Sequence, residues 1–418
     1  MAEPDQRMSA LVVDGKGDLV ERLLQGFAHR APHMLDRVRV LDPFAPRACK
    51  FNLCRLPLGG APVEILALLL AGLVASLSTG AGSQSMGVGA RQVELLQLVF
   101  LAVCTARHSG TSVLWALDAF VEKRGFKMLA ALSESVRARQ FLLSANPSDD
   151  LRASCSSRLR LACAATTQIE DMLSANEGPD FETWLGPGQV LCVDVGRPTG
   201  GLTALRDFYA SVFAALAIDF LLARPSGSGH PTRIVIDEAQ TVAGVLDTRI
   251  ESIATVGRSK QLAATIMSQG TVLLQDASNT LVPVLMGNLP TKLIGRLAPL
   301  DAQLLAKQVA PGHGVDERAG TTRERFIATT CNLPDRTFTL MQPGSRSRFV
   351  SADVDVPAWE AAARTHADKI EAARLRLALP EVTPPRVTLA DAFEAHTGKA
   401  RKGAASAKTT TKPRSRWG

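Results

Sequence analysis

The sequence predicts an α/β protein: a covered, mostly parallel sheet that carries an all-helical insertion. Three observations point there. Apolar runs recur at 10–14, 38–41, 189–195, 233–237, 262–267 and 291–297, continuous rather than alternating, as in strands buried on both faces. Helix-period stretches separate most of them, as crossovers between parallel strands require. From 63 to 185 no convincing strand occurs, only long helical patterns and a Gly/Ser-rich break, "STGAGSQSMGVGA", at 78–90.

Each element follows from local chemistry. "LVVDGKGDL" (11–19) reads as a buried strand that ends in a Gly-Lys-Gly turn and releases the chain into a helix. "VRVL" (38–41) is the next strand, and "VEILALLLAGLVASL" (63–77) opens the insertion. That run begins beside Glu64 and is too short to span a bilayer, while "FYASVFAALAIDFLLA" (208–223) contains Asp219; both read as core helices. "QVLCVDV", "RIVID", "LAATIM" and "TKLIGRL" supply the remaining strands. After "DVDVPAW" (353–359) one charged helix is expected to about Leu379, then a Pro-rich "PEVTPPR" and a basic low-complexity tail with too little apolar surface to fold. The expected organisation is a discontinuous sheet domain (1–62 and 186–357), the insertion (63–185), a C-terminal helix (358–379) and a disordered tail (380–418).

Charge is concentrated at one end. Lys399, Arg401, Lys402, Lys408, Lys412, Arg414 and Arg416 equal the whole formal surplus of +7, so the body of this 418-residue chain is neutral. A mobile polycation of this kind suits DNA phosphates, with a solubilising terminus as the plain alternative. The seven cysteines are scattered without Cys-x-x-Cys or His partners at ligand spacing, which argues against a metal site and for reduced thiols. "MAEPDQRMSA" lacks signal-peptide order, and with no membrane segment in the sequence the expected location is cytoplasmic.

The most informative stretch is "RIVIDEAQTV" (233–242), which puts Asp237 and Glu238 at the carboxyl edge of the sheet, where open α/β sheets bind ligands. In nucleotide hydrolysis such acids divide the labour: Asp237 would hold the Mg²⁺ shell through water, and Glu238 would polarise the attacking water. Acids that merely cap the following helix are the alternative. Gln269 ends the neighbouring strand, placed to sense a γ-phosphate or orient water. Arg258, in the "GRS" turn before that strand, could reach a phosphate across a subunit boundary. A loop amide and a solvated charge are the plain readings of these two.

"LVVDGKGDL", "VRVLDPFAP" with the following "FN", "WLGPGQVLCVDV", "VIDEAQ", "GRSKQLAATIMSQ" and "NLPTKLIGRL" with "DAQLLAKQV" resemble, in this order, the ATPases of the HerA/FtsK superfamily over about residues 10–357. The similarity is greatest to the TraG-like and TraD-like coupling proteins of conjugation and type IV secretion. The resemblance implies a RecA-like fold, ATP and Mg²⁺ as cofactors, a ring, most simply a hexamer, and DNA driven through its centre. It also implies relaxosome or secretion-channel proteins as partners of the helical insertion. By position it carries Asp14, Lys16 and Asp18 onto the family's DxKGD strand end as nucleotide-binding residues. Asp237 and Glu238 match its Walker B, Gln269 its following polar strand end, and Arg258 its arginine before that strand. One part is missing: no GK[ST] occurs anywhere in the sequence, so the P-loop that cradles phosphates in that family is absent from these residues. Three explanations compete: an N-terminally truncated ATPase, perhaps with a membrane anchor in its full-length form; a split or degenerate subunit that lends its acids to another chain's P-loop; and a non-enzymatic adaptor for DNA or relaxosome proteins. The chain alone is expected neither to bind ATP tightly nor to hydrolyse it.

Overall fold

The computed structural model describes residues 8–45, 51–55, 62–77, 89–175, 178–195, 203–227, 229–309, 317–342, 345–351, 354–377 and 386–398. The chain begins with β1 (Ser9–Asp14) and α1 (Asp18–Arg30), then a 3-10 turn (Pro32–Arg37) and β2 (Val38–Leu41). A helical stretch follows: α2 (Val63–Ser76), α3 (Ala90–Cys104), α4 (Leu114–Val121), α5 (Gly125–Leu132), α6 (Val136–Ser144), α7 (Asp149–Ala164), α8 (Thr167–Met172) and α9 (Phe181–Trp184). The sheet resumes with β3 (Val190–Asp194), α10 (Thr203–Ala223), β4 (Thr232–Asp237), α11 (Ala243–Val256), a 3-10 turn (Gly257–Lys260) and β5 (Leu262–Ile266). Beyond it lie α12 (Thr271–Ala277), α13 (Leu281–Asn288), β6 (Lys292–Ile294), α14 (Pro299–Val309), α15 (Glu317–Cys331), β7 (Thr337–Gln342) and β8 (Ser345–Val350). The last helices are α16 (Val356–Thr365), α17 (Ala367–Leu375) and α18 (Leu389–Thr397).

The sheet is all-parallel, in the order β2-β3-β1-β4-β5. Alternate residues of each strand sort to opposite faces. Leu11, Val13, Leu191, Val193, Ile234 and Ile236 enter one core, shared with α10 and α11 and with the helices between β2 and β3. Val12, Val38, Val40, Val190 and Cys192 enter a second, under Val20, Leu24 and Ala28 of α1 and Ala373 of α17. Both faces of the central strands are therefore apolar, which explains runs without alternation. The first core is continuous from the strands through Tyr209 and Phe213 of α10 into Phe100, Trp115 and Leu129 of the helical layer. Tyr209 Oη donates to Ala162 O of α7 at 2.6 Å, so even the buried hydroxyl is satisfied across that junction. Among the described residues no helix is long and apolar enough to cross a membrane.

Three expectations change. The run at 291–297 contributes β6, which does not join the parallel sheet: it pairs antiparallel with β7, and β7 with β8, in a separate three-stranded sheet. The hairpin "TFTLMQPGSRSRFV" that receives it was legible as two strand-like runs around Pro-Gly, but Arg346 and Arg348 disguise its second half. The expected single helix to about Leu379 is two, α16 and α17, with the break at His366 (φ −112°). Within the segment expected to be disordered, residues 389–397 are helical. Thr388 and Asp391 form a capping box, Leu389 and Ala392 are buried, and Gly398 closes the helix at φ 67°. α18 is anchored from outside itself: Arg386 pairs with Asp118 at 2.6 Å and Glu170 at 2.7 Å, and Trp115 Nε1 donates to Val387 O at 2.9 Å. The basic residues from Lys399 onward, and most of the Gly-rich 78–90 stretch, lie outside the described residues.

Candidate functional site

The parallel register puts three carboxylates in a row at the carboxyl edge: Asp194 of β3, Asp14 of β1 and Asp237 of β4. Each meets a different environment. Asp14 is fully buried, and its oxygens accept from the backbone N–H groups of Lys16 (2.9 Å), Gly17 (2.7 Å) and Val20 (2.8 Å). It closes the turn between β1 and α1 and satisfies first-turn donors of the helix. Asp14, expected to bind nucleotide, has no surface with which to do so, because the turn that follows folds over it. Gly17 takes φ 92° to complete that turn, a conformation open to glycine.

Lys16 and Asp18 stand outside the turn. Their side chains are 55% and 79% exposed and 4.0 Å apart. Lys16 also acts on Asp237: burial pushes the Asp237 carboxyl above its ordinary range, opposed first by the N–H of Glu238, while Asp14 and Glu238 raise it further and Lys16 lowers it. Asp237 Oδ1 accepts from Glu238 N at 3.0 Å. This half-buried carboxylate, among two further acids and one lysine, is the member of the row open to a cation.

Glu238 leaves β4 in the left-handed region, φ 51°, which is strained for a non-glycine residue. The strain is held by a closed turn, in which Thr241 N and Thr241 Oγ1 both donate to Glu238 O at 2.8 Å. Gly15 presses on this turn: a Cβ there would lie 2.9 Å from Thr241 Oγ1. The Glu238 carboxylate is clamped on both oxygens. Gln269 Nε2 donates to Oε1 at 2.6 Å and Gln240 Nε2 donates to Oε2. Ser268 Oγ lies 2.9 Å from Gln240 Oε1, so the second amide is itself oriented. Glu238 and Gln269 meet because Met267 N donates to Ile236 O and Ala239 N to Met267 O, both at 2.9 Å, which carries the β4–β5 ladder past the strand ends.

Arg258 is not part of this cluster. It is exposed in the turn before β5, at the opposite edge of the sheet from Glu238 and Gln269. Sequence reading missed three participants. Gln240 was visible in "DEAQ", two residues beyond Glu238. Asp194 ends a strand as Asp14 and Asp237 do. Arg374 of α17, 3.6 Å from Asp194 and 2.5 Å from Glu21, left no local signal. The buried thiols are not candidates: burial pushes Cys155 up to about 11 and Cys163 up to about 12, leaving them protonated.

An all-parallel sheet with acids at its carboxyl edge and helices inserted between its second and third strands is a specific arrangement, and solved structures share it. This chain has the fold of the plasmid coupling protein TrwB. TrwB in complex with ADP and Mg²⁺ superposes with a TM-score of 0.54 at 14% identity, over 85% of this chain and 88% of that one. TrwB with the non-hydrolysable ATP analogue ADPNP gives 0.52 at 16% identity, over 84% and 85%. VirB4 of Thermoanaerobacter pseudethanolicus gives 0.54 at 11% identity, over 85% and 83%. At such identities the likeness is one of fold. No protein-family model and no curated protein sequence matches the chain.

Proposed function

We propose that this chain is an ATPase-type subunit of a conjugative or type IV secretion machine. In this reading it supplies the acidic half of a nucleotide site whose phosphate-binding loop is not among its 418 residues. The observation that carries the reading is the Asp237–Glu238–Gln269 cluster at the carboxyl edge of a sheet shared with nucleotide-bound TrwB. The residues fit Mg²⁺ and a triphosphate in part. Asp237, desolvated and crowded by Asp14 and Glu238, would hold the ion through water; Lys16 is exposed beside it. Bound Mg²⁺ would neutralise charge on the phosphates. Glu238, oriented by its two amides, would take the proton of an attacking water, and Gln269 would report the state of the terminal phosphate by releasing or keeping Glu238. Arg258, on the far edge of its own sheet, would act in a neighbour's site within a ring, most simply a hexamer. The helices between β2 and β3 would meet relaxosome or channel proteins, and the basic tail would hold DNA.

Titration calorimetry with MgATP on the chain is expected to show no micromolar binding, since acids without a phosphate cradle have little to hold a triphosphate. Micromolar affinity would overturn the assignment of the cradle to other residues. In an assembly that does contain a P-loop, Glu238→Gln should abolish turnover and spare binding; unchanged turnover removes Glu238 as the base. Deleting 398–418 should weaken non-specific DNA binding and flatten its salt dependence by about 0.9 log unit per duplex phosphate released. Identical affinity and slope would move the DNA contact elsewhere.

A further inference from the structure

The parallel sheet is unfinished on one side. On the face covered by α1 and α17, Val12, Val38, Val40, Val190 and Cys192 are buried. The same face of β4 and β5 is bare: Arg233, Ala263 and Thr265 are exposed and Val235 is half-buried. A parallel sheet ordinarily has helices on both faces. β5 is also an edge strand, with no second strand neighbour among the described residues. Its sequence, Leu-Ala-Ala-Thr-Ile, carries none of the charges or prolines that usually protect an edge.

The handedness of the fold says what would fit. The β3-to-β4 and β4-to-β5 steps run toward the β5 side, and their helices, α10 and α11, lie on the helical-layer face. The β1-to-β2 step runs the other way, and α1 lies on the opposite face. All three crossovers are then of one hand, as parallel connections are. A strand placed beyond β5 whose helix returned toward β1 would, by the same hand, lay that helix on the α1 face, and over β4 and β5 that face is empty. Ala263, Thr265 and Val235 are small enough for close helix approach. The turn between such a strand and helix would arrive at the carboxyl edge, beside Gln269, Glu238 and Asp237.

We infer that the free edge of β5 and the bare face of β4 and β5 form a docking site for a strand–helix unit that is not among these 418 residues. The strand adds parallel to β5 and the helix covers Val235, Ala263 and Thr265. That its turn binds phosphate rests on the nucleotide reading above; the docking itself rests on edge, face and hand. The partner is therefore a polypeptide with a short Val/Ile-rich strand, a glycine-rich turn and an amphipathic helix.

Hydrogen–deuterium exchange of the full chain tests this with one probe. The probe is a synthetic peptide with a strand of about six residues, the turn GxxxxGKT and a helix of about fourteen residues. At about nine-tenths saturation, exchange of amides 262–266 should slow about tenfold, since exchange then proceeds from the free tenth. The covered edge strand 38–41 should not change. Thr265→Lys, and separately Ala263→Glu, should abolish the protection while amides 9–14 and 190–194 exchange as before, which shows that the variants are folded. No protection, protection elsewhere only, or equal protection in both variants overturns the inference. Repeating the series with MgATP separates the two readings: protection of 262–266 without any nucleotide effect keeps the docking site and removes its role in phosphate binding.

Discussion

Replacing Arg374 by Met should cost this protein more stability at neutral than at acidic pH. The guanidinium lies 3.6 Å from Asp194, whose side chain is 4% exposed, and 2.5 Å from Glu21; Arg374 itself is 16% exposed. Removing one partner of a buried pair costs about 3–5 kcal/mol. The stranded Asp194 has an alternative, which is to take a proton, and that limits the loss. With an ordinary carboxyl value near 3.9, staying protonated at pH 7 costs at most about 4 kcal/mol at 1.36 kcal/mol per unit. Partial solvent access through Arg374 reduces the expected loss to about 3 kcal/mol. In the variant the folded state holds a proton that the unfolded chain has released, so stability falls as pH rises above about 4. At pH 5 the loss should shrink to about 1.5 kcal/mol by the same slope. Urea denaturation at pH 7 and pH 5 measures this: with a slope of about 3 kcal/mol per molar, the midpoint should fall by about 1 M and by about half that. Arg374→Met with Asp194→Asn should recover most of the loss, because the uncompensated charge is gone. If the single variant matches the parent at both pH values, or the double variant is no better than the single, Arg374 does not compensate Asp194.

Other sites give sharper or simpler outcomes. Asp237, raised by burial and by its acidic neighbours, is strained as an anion when folded, so Asp237→Asn should stabilise the chain at pH 7. That gain should vanish as pH falls toward about 4; a destabilised variant at pH 7 would show that the carboxylate is structurally required. Gly125→Ala should be among the worst small substitutions, since its Cβ would lie 2.3 Å from Ala119 O, and a loss of about 3 kcal/mol or more is expected. A thermal midpoint within a degree or so of the parent would refute the close packing of α4 on α5. Trp115→Phe removes the donor to Val387 O and Arg386→Met the pairs to Asp118 and Glu170. Limited proteolysis should then cut within 386–398 at least several-fold faster, and an unchanged cleavage rate would mean that α18 does not depend on these anchors.

The sequence by itself determined the strands and the acids at their ends. A strand buried on both faces must be apolar throughout, and a carboxylate where that run stops must sit at the edge of the sheet, so "LVVD" and "VIDE" are local statements. What the acids do was decided by contacts far apart in the chain. Asp14, Asp194 and Asp237 look alike as strand-ending aspartates. Only the structure shows one spent on its own turn, one answered by Arg374 from 180 residues downstream, and one left open. The same holds for Gln269, which meets Glu238 because β5 lies next to β4, and for Arg258, which the same strand carries to the opposite edge. It holds for α18 as well: its capping box was readable in Thr388 and Asp391, but its docking depends on Trp115 and Asp118, some 270 residues earlier. Local pattern fixes which segments are buried; which buried charge is answered, and by what, is fixed only when the chain folds back on itself, because Coulomb and hydrogen-bond partners are chosen by distance in space.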